Sequence, residues 1–450
     1  MARYLSGQGF GEQKRVVAIQ PFALYKVYIV QVHSSHSIIT NRKPMNILFL
    51  CDEYPPGKHG GIGTAVQTLA NELAAKGHTI TVAGFYDKAY GGESHFKDGQ
   101  VEVYRFYRKL YFPVLQNQGP LFVRAIYRLL TITGVWQRDI EKSLVQYHAF
   151  LEQLIHDKKI DIVEAPDYND YIRFCNRIIN RRPLSIPMVV KLHGSISYFT
   201  REEKMKIPQR IWHMERQFLQ QAVAVAGVSK YTAHQTARYL EYPHAVEVLY
   251  NGIEVPIATG IKKEHNRVIF TGSLAEKKGI YQLMRAWNIV LEKVPTAELW
   301  VFGKGPIAKV QAELNTTDRR SVLFKGHVPG AEIYRQLSAA TVAVFPSYAE
   351  CFALGPMEAM ACNTAVIYTE RTSGPELITD GVNGYLIDPD DTTTLANKII
   401  YLLQHPDIAT TIAAKGRETI CERFDIRLIA EQHVAFYEKA LNIVKTPGLL

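Results

Sequence analysis

The chain has 450 residues and lacks most features that would set it apart from ordinary globular proteins. No run approaches the ~18 apolar residues of a membrane-spanning helix. The most apolar early stretch, Val16 to Val30, is broken by Gln20, Pro21 and Lys26 and offers no small-residue cleavage site, so a secretory signal is not expected. Cysteine is scarce: Cys51, Cys175, Cys351, Cys362 and Cys421 are odd in number and scattered. That argues against a disulfide framework and a structural zinc site, and it fits a reducing cytoplasm. There is no short repeat and no low-complexity tract. Acid is missing from residues 103–138, where Arg105, Arg108, Lys109, Arg124, Arg128 and Arg138 stand together. Residues 1–44 hold Arg3, Lys14, Arg15, Lys26, Arg42 and Lys43 against the single acid Glu12. These two segments account for the formal net charge of +9, and the remaining body is slightly acidic. No nucleic-acid-binding module accompanies the charge, so a nucleic-acid partner is not expected.

What is present is an alternation of short apolar runs with helical patterns, the signature of parallel α/β units. Met45-Asn46-Ile47-Leu48-Phe49-Leu50 reads as a domain start and first buried strand, and residues 1–44 as a poorly ordered extension or upstream start. Further strands are expected over 79–84, 160–164, 188–192, 222–228 and 245–250, then 267–271, 298–303, 322–325, 341–345 and 364–368. Their runs show little polar alternation, as in strands buried on both faces. Val66, Leu69, Ala70, Leu73 and Ala74 define one helix, with Thr64 as its expected N-cap and Gly77 its terminator. Residues 255–266 read as a linker. The expected organisation is a domain over 45–255, a second over 256–425, and a C-terminal helix in 426–450 packing back on the first.

Ligands of such sheets bind beyond the carboxyl ends of the strands, so the loops there matter most. The first strand leads to Gly60-Gly61-Ile62-Gly63-Thr64, where backbone amides can approach an anion. The dinucleotide fingerprint fails, because the third glycine position is Val66 and the loop is too long. Strand 188–192 ends at His193-Gly194. Strand 267–271 leads to Ser273 and Lys277-Lys278-Gly279, where a lysine can neutralise a leaving phosphate. Strand 341–345 leads to Glu350, then Gly355-Pro356-Met357-Glu358. Gly355 is the expected cap, Pro356 the first helical position and Glu358 the third. Each of these residues singly has a bland reading as a solvated or dipole-complementing side chain. Glu350 is the exception, since a loop acid at a strand end has no evident structural duty.

Together these loops resemble the family 4 retaining glycosyltransferases, the glycogen-synthase-like group of GT-B fold, from Met45 to about residue 445. The most specific element is the E-x7-E pair Glu350 and Glu358 within SYAECFALGPMEAMACNTAVI, supported by GGIGT, His193-Gly194, VSKY, NGI, KKG and FGKGP in order. The resemblance implies an α/β GT-B fold of two Rossmann-like domains with parallel sheets facing across a cleft. It implies transfer of a sugar from a nucleotide-diphosphate donor, with retention, to a glycan, lipid-linked or small-molecule acceptor. Glu350 is then expected on the donor sugar, Glu358 on the ribose and Lys278 on the diphosphate. Ser273 and the backbone of Phe352, Ala353, Leu354 and Gly355 are expected along the donor, and His193 beside the transferred sugar. The Gly60–Gly61 loop is expected over phosphate or acceptor, with Glu376 a further cleft residue and Lys325 to Gly330 near the base.

The chain also departs from the pattern. Ser273 stands where an arginine usually clasps the diphosphate, which leaves open a compensating Lys277 or Lys304, a catalytically impaired nucleotide- or membrane-binding relative, or another nucleotide-sugar-modifying enzyme. Asn363 replaces a usual glycine and Ala365 a usual proline. Asp388-Pro389-Asp390 spells D-x-D but reads better as a turn, so no obligatory metal and no further cofactor is expected. The aromatic, cationic segment 103–138 has two readings: a helix on an anionic membrane or over an anionic acceptor, or one packed on the first domain.

Overall fold

The computed structural model describes residues 43–57, 59–108, 120–257 and 260–445. The expected extension therefore lies, except for its last two residues, outside the described residues, as do Lys109, Tyr111 and Phe112.

The first sheet is built from β1 (Asn46–Leu50), β2 (Thr79–Tyr86), β3 (His95–Asp98), β4 (Val101–Tyr107), β5 (Ile162–Pro166), β6 (Met188–Leu192), β7 (Ala224–Gly227) and β8 (Glu247–Val248). Its order is β3-β4-β2-β1-β5-β6-β7-β8, parallel apart from the β3–β4 hairpin. The second contains β9 (Glu264–Thr271), β10 (Glu298–Phe302), β11 (Val322–Gly326), β12 (Ala340–Phe345), β13 (Ala365–Thr369) and β14 (Tyr385–Ile387), all parallel in the order β11-β10-β9-β12-β13-β14. The central strands β1, β6, β12 and β13 are buried almost end to end, which is why their sequences are apolar without alternation.

Helices cover both sheets. The first half carries α1 (Gly61–Ala75), α2 (Pro120–Ile132), α3 (Val135–Lys158), α4 (Ile196–Glu202), α5 (Gln209–Gln220) and α6 (Lys230–Tyr239). The second carries α7 (Ile280–Lys293), α8 (Ile307–Gln311), α9 (Gly330–Ala339), α10 (Leu354–Ala361), α11 (Gly374–Leu377), α12 (Thr392–Gln404) and α13 (Pro406–Arg423), followed by α14 (Ile426–Lys445). Helix α14 lies on the first half: Ile429, Ala430, Val434 and Tyr437 share a core with Ile47, Leu69 and Leu73. Two buried polar pairs join it to the sheet. Lys191 Nζ donates to His433 Nε2 at 2.9 Å and the Tyr437 hydroxyl to Glu164 at 2.7 Å. The two chain crossings between halves bond to each other, with the Ile253 amide on the Phe424 carbonyl at 3.0 Å and the Ile426 amide on the Ile253 carbonyl at 3.0 Å.

Several expected boundaries move. Thr64 does not cap α1: the helix begins at Gly61, Gly60 is the N-cap, and the Thr64 hydroxyl bonds back to the Gly60 carbonyl at 3.1 Å. Helix α10 begins at Leu354 with Ala353 as N-cap, so Pro356 is its third residue and Glu358 its fifth. Proline is tolerated throughout a first turn because those amides have no intrahelical acceptor. The strand expected over 245–250 shrinks to two residues at the sheet edge. Strands β3, β4 and β14 were not expected. In β4 the alternation of buried Val101, Val103 and Arg105 with half-buried Glu102 and Tyr104 was obscured by its charges.

Candidate active site

Between the halves, the carboxyl ends of β1, β6, β9 and β12 supply four loops. The loop after β9 passes through Ser273 to Lys278 and turns at Gly279, whose φ is +69°; a Cβ there would collide with the Pro346 carbonyl. That close approach sets Lys278 beside the loop after β12. Lys278 Nζ pairs with Glu350 Oε1 at 2.5 Å, and the Tyr348 amide bonds the Lys277 carbonyl at 2.8 Å. The Glu350 side chain is 11% exposed and that of Lys278 27%, so the pair is partly shielded from solvent.

The backbone that carries Glu350 is held by the other half of the molecule. The Tyr198 hydroxyl donates to the Glu350 carbonyl, the Thr232 hydroxyl to the Cys351 carbonyl and the Asn251 amide to the Phe352 carbonyl, each at 3.1 Å. Three consecutive carbonyls thus bond side chains from three elements of the first half. Phe352 is buried against Tyr250 and Phe424, so the expectation that it lies along the donor concerns its backbone alone. Just after it, α10 opens with Leu354-Gly355-Pro356, which contains no acid or hydroxyl, and no side chain caps it. The amides of Leu354 and Gly355 are left at a positive helix end within the same loop system as Lys278.

Glu358, one turn further, is half-buried, and its carboxylate has no hydrogen-bond partner among the described residues. Burial alone pushes its carboxyl up to about 7. It is an acceptor in want of a donor.

His193 follows β6, and its turn lies against the Glu350–Cys351 backbone. Gly194 has φ +100°, and a Cβ on it would strike Cys351 Sγ. Burial and the nearby Lys191 cation hold the His193 imidazole well below its ordinary range, so it is neutral at pH 7. Its amide donates to Asp167 Oδ1 at 2.7 Å. Asp167 is buried and its carboxyl raised to about 8, chiefly by that burial. Nothing in the sequence pointed to this residue beyond its place after β5.

The glycine-rich loop holds an acceptor of its own. Its amides are already engaged: Gly63 donates to Glu53 Oε1 at 2.9 Å, and the Gly60 and Ile62 amides act on the same carboxylate. Glu53 thus fills the anion position at the start of α1. Glu376 likewise accepts the Lys230 and Tyr231 amides at 2.8 Å each and the Tyr250 hydroxyl at 3.0 Å. It lies between the halves, with its carboxylate committed to the first turn of α6.

Of the alternative cations, Lys277 Nζ sits 4.8 Å from the centre of the Phe199 ring on the first half. Lys304 is exposed and adjoins the departed position, because the Leu274 amide bonds its carbonyl at 2.9 Å. Ser273 itself is exposed. Asp388 and Asp390 both pair with Arg371, at 2.5 and 2.6 Å, and Asp390 also accepts the Tyr348 hydroxyl. The D-x-D carboxylates therefore close a turn. No group of three or more His, Cys, Asp or Glu side chains suited to a metal occurs among the described residues. In the cationic segment, Arg105 and Arg108 are buried rather than surface-forming. Arg105 bonds the Tyr54 and Pro56 carbonyls and stacks on Phe96, while Arg108 pairs with Asp87 over Trp136. No helix among the described residues is long and apolar enough to cross a membrane.

Two sheets of parallel strands joined at a double crossing, with cation, carboxylates and helix amides gathered at their facing ends, define a GT-B glycosyltransferase. Solved structures share this fold. Sucrose-phosphate synthase from Thermosynechococcus elongatus matches with a TM-score of 0.67 and 19% identity over 88% of this chain and 99% of that one. Anabaena HepE in complex with UDP-glucose matches with a TM-score of 0.59 and 19% identity over 88% and 100%. An uncharacterized glycosyltransferase of Methanocaldococcus jannaschii is 24% identical over 418 residues, 89% of this chain and 100% of that protein. Residues 59–255 match the Glycosyltransferase Family 4 model and residues 265–405 that of Glycosyl transferases group 1. The chain belongs to glycosyltransferase family 4.

Proposed function

We propose that the protein transfers a sugar from a nucleotide-diphosphate donor with retention of configuration and without an obligatory metal ion. The observation that carries this is the Lys278–Glu350 pair beside the uncapped first turn of α10. Breaking a glycosyl–phosphate bond places negative charge on the diphosphate. A fixed cation and aimed amides stabilise that charge more in the transition state than in the ground state. Lys278 with the Leu354 and Gly355 amides does this for the leaving group, with Lys304 supplying the charge that Ser273 lacks. Glu350 takes the sugar hydroxyls, and the unpartnered Glu358 takes the ribose. Neutral His193 lies beside the sugar as a hydrogen-bonding group. Among the described residues no carboxylate is placed as an evident nucleophile; the acceptor then attacks the face the diphosphate leaves, and a diphosphate oxygen takes the acceptor proton.

A nucleotide-sugar donor is further supported by the UDP-glucose held by HepE, a protein of the same fold. The acceptor is a glycan, lipid-linked or small molecule bound by the first half. The test is calorimetric titration of UDP-, GDP- and ADP-sugars in chelator, followed by proton NMR of the product's anomeric configuration. One preferred donor and a retained anomer are expected; an inverted product overturns the stereochemical reading. A second reading, a relative that binds donor without efficient transfer, rests on Ser273 and predicts binding with no turnover across an acceptor panel.

A further inference from the structure

The first half contains a cavity that the transfer chemistry does not use. Helix α3 and residues 178–184 part over the face of the first sheet that also carries α5, leaving about 250 Å³ walled by Leu144, Leu151, Ile179, Leu184, Met188 and Phe218. No residue of the second half lines it. Two apolar lining residues reach the surface, Val145 at 54% exposure and Ile178 at 47%, beside exposed Asn180 and Arg182, and these mark its mouth. Leu129, Ile132 and Val135, at the end of α2 and the start of α3, are exposed as well. That corner is tied to the same segment: Asn176 Nδ2 donates to the Thr131 carbonyl at 3.1 Å, and the Asn176 and Arg177 amides share Gln137 Oε1.

The acid next to the lining, Glu152, is engaged by His148 at 3.7 Å and by the Ser185 amide at 3.0 Å. The lining Arg182 and Arg177 beside Ile178 are exposed, and their guanidiniums have no side-chain partner among the described residues. Arg181, by contrast, is stacked 4.4 Å from the Phe218 ring and bonded to Asn169. Glu141 is the one acid in the lining, and it already accepts from Gln137 Nε2 at 2.6 Å. Apolar cavities of ~150 Å³ stay dry and take up apolar guests, and this one is larger.

We propose that this cavity binds the aliphatic chain of a single anionic amphiphile, with Arg182 and Arg177 holding its head group. The apolar wall accounts for the chain, the free guanidiniums for the charge, and the exposed Val145–Ile178 rim for the route in. The proposal does not rest on the transfer reading, because binding is scored without donor or turnover.

Titration of the full chain with dodecyl phosphate below its micelle threshold is the test, with inorganic phosphate and dodecanol as half-ligands. One saturable site is expected, weakened about tenfold or more by Val145→Trp or by Ile178→Trp, either of which blocks the mouth from an exposed position. Arg182→Glu should weaken the phosphate ligand roughly threefold or more while leaving dodecanol unchanged. Absence of saturable binding, or binding undiminished in both tryptophan variants, overturns the proposal. So does sedimentation with phosphatidylglycerol vesicles without dodecyl phosphate binding, since that describes a bilayer contact of the exposed rim instead.

Discussion

Lys278 and Glu350 are 72 residues apart in sequence and 2.5 Å apart in space, one from the loop after β9 and the other from the loop after β12. Their pairing ties the loop after β9 to the loop after β12. Removing either partner leaves the other partly buried without its counter-charge, so the two single changes and the double change should not add. A double-mutant cycle with Lys278→Met and Glu350→Gln, read by thermal unfolding, should give a coupling of about 1–3 kcal/mol. Strict additivity would mean that the pair is not a unit.

Glu376 joins the halves through α6. Glu376→Ala removes two backbone acceptor bonds and one hydroxyl bond, and should lower stability by about 1–2 kcal/mol. Because the loss falls between the halves, scanning calorimetry should show the transition broadening or dividing. A variant with wild-type stability and a single sharp transition would deny Glu376 this role.

Glu358 gives a pH dependence whose sign is fixed. Its carboxyl is raised to about 7 by burial, above the ordinary ~4.3 of an unfolded chain. The stability it contributes is complete below about pH 4 and is lost as pH rises through about 7. A ribose hydroxyl donates best to the ionised form, so donor affinity should move oppositely and improve from roughly pH 6 to 8. Asp167, raised to about 8, adds a stability loss of the same sign, so the informative quantity is the difference from Glu358→Gln. Calorimetric donor titrations in that variant should lose the pH slope; a slope unchanged by the substitution would place the titration on another group.

Lys304 is assigned the charge that Ser273 lacks. Lys304→Ala should raise the donor KM by about tenfold, the effect of a partly solvated charge contact. Adding Ser273→Arg to that variant should recover most of the loss. Failure of the arginine to restore binding would show that position 273 does not face the diphosphate.

Asn363 has φ +57° and ends α10 in a Schellman motif, with the Thr364 amide on the Ala359 carbonyl and the Asn363 amide on the Met360 carbonyl. Asparagine visits this region at little cost, which is why it can stand where the resemblance led to the expectation of glycine. Asn363→Gly should be near neutral and Asn363→Val should cost about 1–2 kcal/mol by chemical denaturation. Equal stability of the two would show that the backbone relaxes out of the left-handed region.

These residues also show what the sequence made legible. Lys278, Glu350 and Glu358 stood out as candidates because each sits at the carboxyl end of a recognisable buried strand or in the helix after it, where a local pattern marks them. The partners of Glu376 and of the carbonyls of residues 350–352 could not, since Tyr198, Lys230 and Asn251 lie more than a hundred residues upstream and reach them only through the crossing of the halves. Glu53 was hidden differently. A glycine-rich loop before a helix reads as a site for an external anion, and nothing local reveals that the chain supplies its own. Arg105 misled for a related reason: six cations in a row of residues suggest a surface, yet its stacking among Tyr86, Tyr90 and Phe96 buries it.

The most direct measurement is transfer turnover with the preferred nucleotide-sugar, in chelator, for the wild type, Lys278→Ala and Glu350→Ala. Loss of kcat by roughly 10²–10³-fold in each variant, with the fold intact, is the predicted result. Full activity in both variants would contradict the placement of the reaction at the Lys278–Glu350 pair.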